Sequence, residues 1–195
     1  VTAEPLPGMP EPVEPSALGR DDPRDRVDVE HVSTMHTEAS LLAMLRQRCT
    51  VRSQGVGTRY VFATHVRAGS GFDQRTADAV TLDGWQGGNR RNPVHELEGF
   101  EVKTSRSDWL RELKDPGKCE AVRRYCARWW LVTVPGVVRG GELPDGWGLL
   151  LARGSVLRAE VQAPRLEPED PPRGFWVAFS RAAVKTEQRH LEASR

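Results

Sequence analysis

"GFEVKTSRSDW", residues 99–109, alternates apolar and charged side chains and then breaks into a polar run. Alternation of that period belongs to a β-strand, in which positions i and i+2 share a face. Glu101 and Lys103 therefore project from one side and Phe100 and Val102 from the other. The Ser-Arg-Ser-Asp that follows ends the strand and supplies hydroxyls that can cap a helix. An acid and a base set side by side at the end of a strand are either a solvated edge or a site.

The surrounding sequence predicts a sheet around this strand. "RYVFATHV" (59–66) and "RTADAVTL" (75–82) are rich in β-branched and aromatic residues and read as strands preceding 97–103. Further upstream, "STMHTEASLLAMLRQRC" (33–49) reads as a helix. Thr34 or Thr37 can cap it, Leu41, Leu42, Leu45 and Cys49 form its stripe, and Glu38 lies in the first turn, where the helix dipole favours an acid. "GWQGGNRRNP" (84–93) is a turn-rich basic loop. Downstream, Ser107 can cap a short helix to Lys114, and Asp115-Pro116 restarts a helix whose Cys119, Val122 and Cys126 make one seam. Segments 129–135, 146–152 and 155–162 read as later strands. A closing helix over 175–191 turns Trp176, Phe179 and Ala183 inward, and Trp109 and Tyr125 belong in the core. The order predicts an α/β domain over residues 33–195, a mixed sheet flanked by helices.

Composition bounds the function. At 195 residues, 38% hydrophobic and 28% charged, the chain suits one soluble domain. No run is long and apolar enough to cross a bilayer, and no signal-peptide-like leader is visible, so a cytoplasmic location without a membrane partner is expected. The three cysteines have no metal spacing and read as reduced core residues. The five histidines are scattered, and His65, within a strand, reads as structural. No P-loop, Ser-His-Asp pattern or zinc spacing appears. The net charge of +1 hides an asymmetry, because residues 1–30 carry −5 and the remainder +6. Residues 1–32, acidic and proline-rich, are expected to be a disordered tail that could fend off nonspecific nucleic acid, recruit a partner such as a repair or replication protein, or be an inert extension. The basic body suits a polyanion.

Asp78 singles itself out in "TADAV", since an ionised Asp among alanines must be paired, exposed or bound to a cation. With Glu101 and Lys103 it forms Asp, then Glu-x-Lys on an adjoining strand. Two hard oxygen ligands and an ammonium are what metal-assisted phosphodiester hydrolysis needs. Arg90 and Arg91 of the basic loop, and Ser105, Arg106 and Ser107 at the strand's rim, are candidate phosphate contacts.

The blocks "RTADAV", "FEVKTSRSDWLRELKDPGK", "YCARWWLV" and "LPDGWGLL" resemble the PD-(D/E)xK nuclease superfamily, and within it the MmcB-like DNA repair and phage nuclease-like proteins. Ala77 stands where the name-giving Pro would be. The resemblance implies a restriction-endonuclease-like fold and a Mg²⁺- or Mn²⁺-dependent deoxyribonuclease acting on DNA. Asp78, Glu101 and the Val102 carbonyl would hold the metal, Lys103 would be the catalytic lysine, and Glu38 the additional helical acid. A DNA-binding repair accessory of the same fold that does not cut, and an RNA nuclease, are the alternatives.

Overall fold

Leu97–Lys103 forms a strand, as its alternation requires, yet five of its seven residues are buried. Both faces must therefore be covered, and the rest of the fold does this. The computed structural model describes residues 36–50, 52–53, 57–69, 75–84, 88–89, 92–93 and 95–195, and the acidic tail expected at 1–32 lies outside them. In chain order the elements are α1 (Glu38–Cys49), β1 (Arg52–Ser53), β2 (Gly57–Thr58), β3 (Tyr60–Arg67), β4 (Thr76–Asp83), β5 (Gly88–Asn89), β6 (Asn92–Pro93), β7 (Leu97–Lys103), α2 (Arg106–Glu112), a 3-10 turn (Pro116–Lys118), α3 (Glu120–Arg123), β8 (Arg128–Thr133), β9 (Trp147–Arg153), β10 (Val156–Val161) and α4 (Arg173–Ala193).

Six strands make one mixed sheet in the order β10-β9-β8-β7-β4-β3. β7 pairs parallel with β8, and β8 with β9, while the remaining pairs are antiparallel. This is the mixed, helix-flanked α/β sheet that the sequence predicts. Two-residue ladders join β1 to β2 and β5 to β6. Among the described residues, no helix is long and apolar enough to cross a membrane.

The consecutive residues Trp129 and Trp130 point to opposite faces of β8 and show what covers each. Trp129 packs edge-on against Trp147, which in turn meets Trp109 of α2. Trp130 shares a cavity with Phe100, Leu150 and Arg48 and Cys49 of α1. A Cβ on Gly99 would come within 2.1 Å of the Trp129 ring, so only glycine lets β7 lie flat against that indole. Cys119, Val122 and Cys126 form the buried seam expected of them. Helix α4 lies along the edge strand β3, where the Thr64 N–H donates to Thr186 Oγ1 at 2.9 Å. That bond occupies an edge donor that would otherwise stand open.

Three local expectations change. Helix α2 is capped by Ser105 rather than Ser107, because the Ser105 hydroxyl accepts the Asp108 N–H at 3.2 Å. Pro116 opens a 3-10 turn, not an α-helix, and α3 is a single turn; Asp115 makes no side-chain cap bond. On α4 the buried stripe is Phe175, Phe179 and Thr186. Trp176, one residue and about 100° away from Phe175 on a helix, stays 36% exposed and packs sideways on Phe175 and Phe179.

Candidate functional site

The β4–β7 ladder runs from Leu82 opposite Leu97 to Ala79 opposite Phe100, so the next position along each strand is Asp78 and Glu101. Here a carboxylate replaces the ladder: Asp78 Oδ2 accepts the Val102 N–H at 2.8 Å. The donor is satisfied, as a buried amide must be. Asp78 Oδ1 has no hydrogen bond among the described residues.

Glu101 and Lys103 share a face of β7 and form an ion pair. Glu101 is 5% exposed. Burial, and then the charge of nearby Asp78, push its carboxyl up to about 7 against the pull of Lys103. Burial works in the opposite direction on Lys103, but Glu101, Asp78 and Glu112 outweigh it and hold the amine above the ordinary lysine range. Lys103 is thus an ammonium at neutral pH and can donate hydrogen bonds and charge, but cannot accept a proton.

Glu112, the last residue of α2, completes this cluster. It is buried, and its Oε2 lies 3.2 Å from Lys103 Nζ and 3.7 Å from Lys118 Nζ. Sequence reasoning misses it, since a Glu within "WLRELK" looks like one more charge on a solvated helix face. Its neighbour Trp109, wholly buried, is the signal that this end of α2 turns inward.

A cavity of about 400 Å³ opens at this end of the sheet, lined by Glu38, Asp78, Val102, Lys103, Glu112 and Lys118 among others. Glu38 arrives there as the first residue of α1. A reciprocal capping box fixes that helix start: Thr37 Oγ1 accepts the Ser40 N–H, and Ser40 Oγ accepts the Thr37 N–H. On the other side of Asp78, β3 contributes His65. Thr64 pairs with Ala79 and Val66 with Ala77, which sets His65 opposite Asp78. One ligand atom each from Glu38, His65 and Asp78 lies within 4.8 Å of the others. The structural role that the sequence suggests for His65 therefore omits its neighbours. No spacing in the chain relates it to residues 27 positions before and 13 after, and only the strand register does.

The donor chemistry fits a divalent cation. Glu101 and Glu112 are neutralised by lysines, but neither Glu38 nor Asp78 has a Lys or Arg at ion-pair distance among the described residues. Two carboxylates that converge without a counter-charge repel each other unless a cation joins them.

The expected phosphate contacts are placed differently from one another. Ser105 caps α2, and the Ser107 hydroxyl lies 3.0 Å from the Ser105 hydroxyl. The Arg106 guanidinium is bound by both Glu142 oxygens and by the Val137 carbonyl at 2.8 Å, so it ties α2 to the turn at 137–142. Arg90 and Arg91 lie outside the described residues. A second groove, about 230 Å³, is lined by His65, Arg67, Arg181 and Lys185. Among the described residues these three cations have no acidic partner.

No family model matches the chain, and no curated protein matches it. Among solved structures it is similar to the SPO1766 protein of unknown function from Silicibacter pomeroyi, at 19% identity over 80% of this chain and 86% of that one, with a TM-score of 0.48. A likeness at that level bears on neither family nor activity.

Proposed function

We propose that the protein is a metal-dependent nuclease that hydrolyses DNA phosphodiester bonds in the cytoplasm of a bacterial or phage-infected cell. The observation that carries this reading is the meeting of Asp78 and Glu38 with Lys103 at one cavity, with Glu101 buried beside them. Asp78, Glu101 and the Val102 carbonyl would hold Mg²⁺ or Mn²⁺, and Glu38 would support the site. Such a cation, when bound, lowers the pKa of a water and offsets charge on phosphoryl oxygens.

The chain's own groups do the remainder. The Lys103 ammonium orients the attacking water and stabilises the developing negative charge, a role that its raised pKa preserves across the neutral range. Glu112 is the second carboxylate that holds that ammonium, beside Glu101. Lys118 and Arg111, at the cavity wall, offer charge to the phosphates on either side of the scissile bond.

Parallel digests of single-stranded, duplex and branched DNA and of RNA, each with Mg²⁺ or with EDTA, test the proposal. The expected outcome is Mg²⁺-dependent cleavage of DNA that falls by roughly a thousandfold or more in Asp78→Asn and Glu101→Gln. Cleavage that survives in Glu101→Gln would overturn the mechanism. DNA binding without metal-dependent product would replace it with the binding accessory, and cutting confined to RNA with the ribonuclease.

A further inference from the structure

We propose that His65 is a metal ligand, and that the Glu38–His65–Asp78 centre takes a first-row transition cation such as Mn²⁺ in preference to Mg²⁺. The inference rests on the cation-binding part of the nuclease reading and adds a residue and a metal preference to it. His65, Glu38 and Asp78 come from three elements, β3, α1 and β4, and bring one donor atom each to within 4.8 Å of the others. Two ligands on opposite sides of one ion lie roughly 4 Å apart, so the spread needs only a small rotamer adjustment to close on a metal. Among the described residues, the three groups make no hydrogen bond or ion pair with one another. They converge without satisfying each other, which is the arrangement a shared cation resolves.

The imidazole decides which cation. Mg²⁺ favours oxygen donors, whereas an imidazole nitrogen suits the borderline transition ions. An oxygen-only set of Asp78, Glu38 and waters would serve Mg²⁺; adding a nitrogen moves the preference along the first row.

The backbone at His65 provides a clean variant. Its φ is 53°, in the left-handed region, where glycine is at ease and asparagine is well tolerated. His65→Gly thus removes the ring without adding backbone strain, and His65→Asn replaces the nitrogen donor with an amide oxygen. Mn²⁺ binding to the full chain, followed by loss of the free-ion EPR signal and by competition with Mg²⁺, gives both affinities without any cleavage assay. Far-UV circular dichroism and thermal melts establish that each variant is folded.

The wild type should bind Mn²⁺ more tightly than Mg²⁺. His65→Gly should lose roughly tenfold or more of its Mn²⁺ affinity, since even groups that only orient a ligand are worth about 10–100-fold. Its Mg²⁺ affinity should stay near that of the wild type. His65→Asn should narrow the preference, and free imidazole should restore part of the Mn²⁺ affinity of His65→Gly. Equal Mn²⁺ affinity in wild type and His65→Gly, or an equal loss for both ions, would overturn the proposal. Because no substrate enters the measurement, failure of the nuclease reading leaves a positive result standing, and an active nuclease cannot rescue a negative one.

Discussion

Lys103 stands between two carboxylates, Glu101 and Glu112, whose side chains are each only 6% exposed. Taking away the ammonium leaves two buried acids short of a partner, which is the costly way to break such a pair. Lys103→Met should therefore lose activity and also about 3–5 kcal/mol of stability at neutral pH. The Glu101 carboxyl, already raised by burial and by Asp78, would be raised further in the variant, so the variant's stability is present when that group is protonated and is lost as pH rises. The gap to wild type in metal-free thermal melts should narrow as pH is lowered toward about 5. Glu112→Gln is milder, because Glu101 still holds the ammonium. It should lower kcat by about tenfold with KM little changed, as expected when a positioning group is removed while substrate binding is kept. An unchanged kcat would remove Glu112 from the site.

The helix and strand that carry the site are each fastened at one point. Strand β7 lies against Trp129 only because residue 99 is glycine. Gly99→Ala should destabilise by about 1–3 kcal/mol through overpacking, read as a lower melting temperature. Helix α2 is fastened through Arg106 to Glu142. The Arg106 hydrogen bonds, followed by the Arg139 N–H, lower the Glu142 carboxyl to about 2. A depressed carboxylate contributes stability that is present above its ordinary pKa of about 4.5 and lost as pH falls toward 2. Acid unfolding between about pH 5 and 2 should accordingly be less steep in Glu142→Gln than in wild type. The same ion pair explains why Arg106, which the sequence suggests as a phosphate contact, is better understood as a fastener.

At the scale of the molecule, charge is sorted around the cavity. Glu38, Asp78 and Glu112 line it together with Lys103, Lys118 and Arg111, and the groove of Arg67, Arg181 and Lys185 includes His65, which neighbours Asp78 and Glu38. A nucleic-acid strand laid across His65 would keep a phosphate over the acids and its neighbours over the cations. Arg181→Glu and Lys185→Glu should each weaken DNA binding, measured with Ca²⁺ present to block cleavage, and reduce the salt slope by about 1 for each phosphate no longer engaged. A slope unchanged in both variants would place the DNA path elsewhere.

Periodicity is local, and the chain records it plainly: the alternation of 97–103, the stripe of α1 and the seam through Cys119, Val122 and Cys126 all stand where the pattern puts them. Asp78 and Glu101-x-Lys103 are legible too, because an acid among alanines and an acid and a base on one strand face require a reason. Glu38, by contrast, reads locally as a first-turn helix acid, and in the sequence it enters the site only through the family resemblance. What brings His65 beside Asp78 is the register of an antiparallel ladder, and what buries Glu112 is the docking of α2 on Trp147. What occupies Arg106 is a turn more than thirty residues away. Pairing and packing between distant segments leave no period in either partner, so the places of those three residues are settled only when the chain closes on itself.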